Sequence, residues 1–253
     1  MEAVFPYDFP KGAPTQGHPF CICENAGEEF PFMKKHEKEI AAMSNEAVAK
    51  RMEKTQNRSK IRTTVQIGML GAVAVVLMML DFPVPFLVPP FVKMDFSELS
   101  VLIGTFAMGP VAGVLIELLK NLLNLVLHGT TTGGIGELSN FVIGCAFVVP
   151  AGLIYRKKKT KKNALIGMAC GTVFMAALGC LSNAFVIFPM YSAVMGIPME
   201  QFVAMGTAIN PAVDNLFTFI ILCMAPFNLM KGIVISLITF LLYKRLRVLL
   251  KGE

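Results

Sequence analysis

Beyond residue 63 the chain is mostly apolar, in runs broken by short polar or proline-rich stretches. Runs over 64–80, 97–108, 110–127, 135–155, 163–188 and 211–242 read as helices. Several approach the ~20 residues that a bilayer crossing needs. They lack the strict apolar–polar alternation of membrane-barrel strands. The run at 97–108 is short for a full crossing, and the last is long enough to cross with tilt or with a break near Pro226. Residues 81–95 (DFPVPFLVPPFVKMD) contain four prolines, which forbid a regular helix. In water so apolar a loop would form a large exposed patch, so it is expected to fold back over the bundle as a lid. Residues 189–210 read as a further loop. Residues 1–30, rich in Pro, Gly and polar side chains, read as poorly ordered, and 33–60 as a solvated surface helix. The chain therefore divides into a polar, flexible extension (1–60) and a membrane domain (61–253). No apolar h-region opens it, so no cleavable signal peptide is expected.

Composition narrows the class. Hydrophobic residues make up 55% of the chain and charged residues 16%, too few to cover a soluble domain. The fold class is an all-α integral membrane protein with six transmembrane helices. The net charge of +6 is concentrated before the first span, in 156–162 (RKKKTKK) and in 244–251. Cytoplasmic loops concentrate Lys and Arg, so the N- and C-termini and the 156–162 loop are expected in the cytoplasm. Six crossings satisfy all three positions. The basic clusters flank lipid-length runs, so they read as topology signals and nucleic acid is not an expected partner.

The polar residues inside the apolar part are the candidate chemistry. Asp95, Glu98, Glu117, Lys120, Asn121, Asn124, Glu137 and Asn140 fall within 91–141. If 97–108 and 110–127 form a hairpin, these residues gather at one mouth of the bundle, on the outer side. Polar groups at such depth face a protein interior or a cavity. Glu117 and Lys120, at i,i+3, can also simply pair with each other. Lys231 lies inside the last span, at a cost of about 2.5–3.5 kcal/mol on insertion scales. It either snorkels to the interface or, with Asn228 one turn away, points into the bundle towards a ligand with carbonyl acceptors. The 128–136 turn (HGTTTGGIG) lacks the G-x-x-x-x-G-K-[ST] arrangement, so the chain is not expected to hydrolyse ATP by a P-loop. Cys145, Cys170, Cys180 and Cys223 sit singly in apolar runs as small hydrophobes. Cys21 and Cys23, near His18 and His36, could bind a metal but read as incidental tail cysteines. A membrane enzyme using Asp95, Glu98 and Glu137 for acid–base work is an alternative, weakened by the lack of a nucleophile–base pair. A self-sufficient secondary transporter is another, weakened by the lack of a visible inverted repeat.

Five motifs carry a resemblance: K-x-D-F-S-E (93–98) after the proline loop, G-P-x-x-G (109–113), E-L-L-K-N (117–121), G-x-G-E-L-x-N-F (134–141) and P-F-N-x-x-K-G (226–232). In this order, over about residues 63–247, the chain resembles the riboflavin-binding S components of energy-coupling factor (ECF) transporters. The resemblance implies a six-helix subunit of a bacterial cell membrane that captures riboflavin from outside. It would act with a transmembrane coupling subunit and two ATPase subunits, as a non-enzyme, with no cofactor and no metal. An S component for a different vitamin is the alternative within the class. Asn183, Asn228 and Lys231 match the family's polar flavin contacts, and Tyr191 is a further candidate. The proline loop matches its lid, with Phe86, Leu87, Phe91 and Met94 as apolar walls. Gly129 and Thr132 match its pocket-lining turn, and Asn124 and Glu137 complete the substrate set. Gly68 and Ala72, four apart on the first span, match the small-residue motif that packs against the coupling subunit; small-xxx-small spacing lets helices approach closely.

Overall fold

The computed structural model describes residues 31–251 apart from Phe91 and Thr131, with side chains at 46, 48 and 50–242 apart from those two. The chain divides into two compact units, 1–56 and 57–253. Helix α1 (Pro31–Met78) supplies the described residues of the first unit, and its described side chains there are exposed. The second unit adds α2 (Ser97–Met108), α3 (Pro110–His128), α4 (Ile135–Lys157), α5 (Lys161–Ser182), α6 (Phe188–Met195), α7 (Met199–Ile209), α8 (Leu216–Phe219) and α9 (Ala225–Lys251). Two short antiparallel strands, β1 (Phe82–Pro83) and β2 (Lys93–Met94), close the proline loop on itself, with Phe82 opposite Met94. The two helical runs expected over 33–60 and 64–80 form the single helix α1.

Five helical stretches among the described residues are long and apolar enough to cross a membrane: Lys50–Met78, Pro110–His128, Ile135–Lys157, Lys161–Met195 and Leu216–Leu242. Ser97–Met108 is apolar but only 12 residues long, about 18 Å against a ~30 Å hydrocarbon core.

The loop expected over 189–210 is instead largely helical. Helix α5 passes through a π-helical turn, Asn183–Ile187, directly into α6, and α7 follows after Gly196 and Pro198. Pro189 does not end the helix, because it follows that widened turn. A proline ring clashes with the carbonyl four residues back and removes one hydrogen bond; a π turn shifts bonding to five residues back, as in Phe188 N–H to the Asn183 carbonyl. Pro226 has the same solution. It follows the π turn Ile220–Met224, where the Ala225 N–H reaches the Ile220 carbonyl. The last span begins at Leu216, later than residue 211, because Asn215 and Thr218 form a reciprocal capping box.

Two apolar clusters fill the bundle. One joins Leu102, Phe106, Ile116, Phe147, Met168, Met175 and Ile235. The other joins Val84, Val88 and Met94 to Phe188, Tyr191, Phe202, Phe219 and Phe227, so the proline loop is packed into the protein. Helices α4 and α5 meet almost backbone to backbone. A Cβ on Gly167 would stand 2.8 Å from the Ala151 carbonyl oxygen, the close approach that small residues permit in membranes.

Between the helices runs a buried ionic network. The Lys120 ammonium, fully buried, contacts Glu98 at 2.6 Å, Glu117 at 2.8 Å and the Ser97 hydroxyl at 2.8 Å. Asn121 donates to Glu117 Oε1 at 3.1 Å and accepts from Asn140 at 3.2 Å. Glu98 and Glu117 each leave Oε2 buried without a protein hydrogen-bond partner, so Lys120 is their shared counter-ion. Gly144 provides the room, because a Cβ there would collide with the Glu117 carboxylate. Removing one partner of such a cluster leaves charge buried without compensation, at a cost of about 3–5 kcal/mol. Lys120→Met is therefore expected to lower the unfolding temperature of the detergent-solubilised protein sharply, followed by circular dichroism. An unchanged melt would show that the network contributes little to stability.

Candidate functional site

Helix α9 presents Phe227, Asn228 and Lys231 along one face, and Met224, the last residue of the π turn before it, joins them at the cavity. Opposite them, the π turn aims Asn183 and Ile187, and α6 adds Phe188 and Tyr191. Helix α4 contributes Ser139, Asn140 and Ile143. These residues enclose a cavity of about 150 Å³ in which amide and ammonium groups alternate with aromatic and aliphatic walls. Asn183, Asn228 and Lys231 are all buried. Gly179 makes the Asn228 position possible, since a Cβ there would stand 2.6 Å from its amide nitrogen.

The Lys231 ammonium is held by Asp95 Oδ2 at 2.9 Å. Asp95 lies at the foot of the proline loop, just after β2, and its other oxygen accepts from the Ser97 N–H at 2.9 Å and from the Ser97 hydroxyl. Burial alone would raise the Asp95 carboxyl, but the ammoniums of Lys231 and Lys120 and the Ser97 hydroxyl outweigh it and hold the carboxyl well below the usual carboxylate range. A lowered value means that the pair contributes stability through neutral pH and loses it only as pH falls far into the acid range. The pair also satisfies Lys231 within the bundle, so it has no need to snorkel.

A second cavity of about 360 Å³ adjoins the first and shares Lys93, Gly136 and Tyr191 with it. Its lining is more hydrophilic and includes Asp81, Asp95, Asn124, His128, Thr132 and Glu137. The turn between α3 and α4 shapes its rim. Gly129, Gly133 and Gly134 all have positive φ, which side chains disfavour. Thr130 and Thr132 staple the turn, with Thr130 Oγ1 accepting from the Gly134 N–H at 2.8 Å and Thr132 Oγ1 from the Gly136 N–H at 3.1 Å.

The structure thus brings Asn183, Asn228, Lys231 and Tyr191 to one cavity and Asn124, Gly129, Thr132, Glu137 and Tyr191 to its neighbour. Leu87 and Met94 pack into the apolar cluster beneath the loop, Phe86 is 75% exposed, and none of these three lines either cavity. Phe91 lies outside the described residues, as do Cys21 and Cys23. The aromatic walls come instead from Phe188 and Phe227, which the sequence reading did not single out. Their signal was their position one turn from Asn183 and next to Asn228. Gly68 and Ala72 lie on an exposed face of α1, away from both cavities; a Cβ on Gly68 would touch nothing within 4 Å.

The three carboxylates of the enzyme alternative do not converge on one reaction centre. Asp95 holds Lys231, Glu98 holds Lys120, and Glu137 accepts from Thr130 at 3.3 Å. Among the described residues no group of three or more His, Cys, Asp or Glu is placed to hold a metal ion.

This arrangement has relatives. The riboflavin transporter RibU of Staphylococcus aureus is 35% identical over 195 residues, covering 77% of this chain and 95% of that protein. The riboflavin transporter FmnP of Bacillus subtilis is 31% identical over 189 residues, covering 74% and 93%. A solved S component of a bacterial ECF transporter superposes with a TM-score of 0.60 at 35% identity, over 76% of this chain and 99% of that one. The family of ECF transporter substrate-specific components matches residues 62–243. With that match spanning all the candidate site residues, the chain belongs to the substrate-specific components of ECF transporters.

Proposed function

We propose that the chain is the riboflavin-capturing subunit of an ATP-driven ECF uptake transporter. The observation that carries this reading is the convergence of the buried side chains Asn183, Asn228 and Lys231 on one cavity with Phe188 and Phe227 as walls. Isoalloxazine is flat and apolar on its faces, with carbonyl acceptors on its pyrimidine edge. The aromatic walls take the faces, and the amide and ammonium donors take the edge. The adjoining polar cavity suits the hydroxylated ribityl chain through Asn124, Thr132 and Glu137. The similarity to riboflavin transporters supports the same ligand. A site built to pair those groups rejects analogues lacking them, because its own buried polar groups would be left unsatisfied.

The reading includes a bacterial cell membrane and six crossings, with α2 as the short sixth member in a hairpin with α3. Both termini and the 156–162 loop then share the cytoplasmic side. The proline loop acts as the lid, tied to the site through Asp95 and Lys231. The chain has no catalytic role. It docks on a transmembrane coupling subunit shared with two ATPases, through the open face of Gly68 and Ala72. Residues 1–60 take no part in ligand capture.

Riboflavin titration of the purified protein, followed by quenching of flavin fluorescence, tests the site. Lys231→Ala is expected to weaken binding roughly tenfold to a hundredfold, the loss of a hydrogen bond from a charged donor. Because this change also strips Asp95 of its partner, Lys231→Ala/Asp95→Ala serves beside it. Unchanged affinity in both would remove Lys231 from the ligand contacts. A chain starting at residue 61 should bind as the full chain does, and a large loss would give the extension a part in capture. Gly68→Leu is expected to leave riboflavin affinity intact while reducing co-purification with the coupling subunit; loss of binding would place Gly68 in the pocket instead.

A further inference from the structure

At the far end of α4 lies a third cavity that ligand capture does not use. Arg156 is twenty residues beyond Gly136 on one helix, about 30 Å away along its axis. The cavity measures about 330 Å³ and sits where the α2–α3 turn meets the end of α4. Its apolar wall is Phe106, Met108, Pro110 and Val111, and its basic rim is Arg156 and Lys159. Helix α3 starts there with no side-chain cap, so its positive end adds to the same field. Both basic side chains are exposed and belong to the 156–162 run. Val111 is 71% exposed and opens a stripe of outward apolar residues on α3, Leu115, Leu118 and Leu122, spaced by helical turns.

We propose that this cavity is a headgroup site for an anionic phospholipid. The basic rim and the α3 terminus take the phosphate, and the α3 stripe takes an acyl chain. Basic pockets between spans at a membrane surface have this chemistry. The apolar stripe that continues from the lip selects a lipid over free phosphate, which would gain nothing from it. The proposal is independent of the transported ligand and needs only the membrane placement of the family.

The test uses the intact chain in non-ionic detergent, offered equal amounts of dioleoyl phosphatidylglycerol and dioleoyl phosphatidylcholine, with retained lipid counted by native mass spectrometry. Selective retention of phosphatidylglycerol is expected. Arg156→Gln/Lys159→Gln should reduce it by roughly tenfold or more. Lys157→Gln/Lys158→Gln removes the same charge from positions that do not line the cavity, and should leave retention nearly unchanged. No headgroup preference in the unaltered chain overturns the proposal, whatever the variants do. Equal loss in both double variants also overturns it, since a diffuse surface field would then suffice. Displacement of the lipid by millimolar inorganic phosphate would make the cavity a free-anion site instead.

Discussion

Charge buried inside a helical bundle has little water to fall back on, and the rest of this structure is arranged around that constraint. Five ionisable side chains lie inside or at the edge of the bundle: Asp95, Glu98, Glu117, Lys120 and Lys231. They are linked without a gap, from Lys231 through Asp95 and Ser97 to Lys120 and on to its two glutamates. Asn121 and Asn140 extend the chain. Both ends reach the same cavity, Lys231 at one side and Asn140 at the other. Partnered polar groups hold their geometry because leaving any one unpaired is costly.

That network gives the proline loop and the cavity a common anchor. The proline loop is closed by β1 and β2, packed through Val84, Val88 and Met94, and fixed at its foot by Asp95. Asp95 also sets the position of Lys231. In the proposed function, movement of the loop and the orientation of the ammonium are therefore coupled through one ion pair. A ligand that drew Lys231 towards its own carbonyls would compete with Asp95, and so could bias the loop.

Much of the architecture was legible in the sequence because apolar runs and their breakers are local signals. The boundaries of α2 and α3 follow from Gly109 and Pro110, and the Glu117–Lys120 pair from its spacing. What could not be read was non-local. Asp95 and Lys231 are 136 residues apart, and no periodicity joins them. The π turns ahead of Pro189 and Pro226 reverse the ordinary meaning of those prolines, so a helix was read as a loop. The loop residues Phe86, Leu87 and Met94 were chosen for apolar character, which does not distinguish lining a cavity from packing beneath it. Glu137, Asn228 and Lys231 were legible because they fall in the quoted motifs, whereas Phe188 was hidden among many similar apolar neighbours and Phe227, though inside a motif, was passed over for the polar residues beside it.

Riboflavin binding is read most simply on the unaltered protein. Its absorption spectrum after purification in detergent, followed by riboflavin titration, reads the ligand itself. Flavin absorbance is expected in the purified protein, or saturable one-to-one quenching of flavin fluorescence once bound vitamin is removed. A colourless protein that leaves riboflavin fluorescence unchanged at micromolar concentration would contradict it.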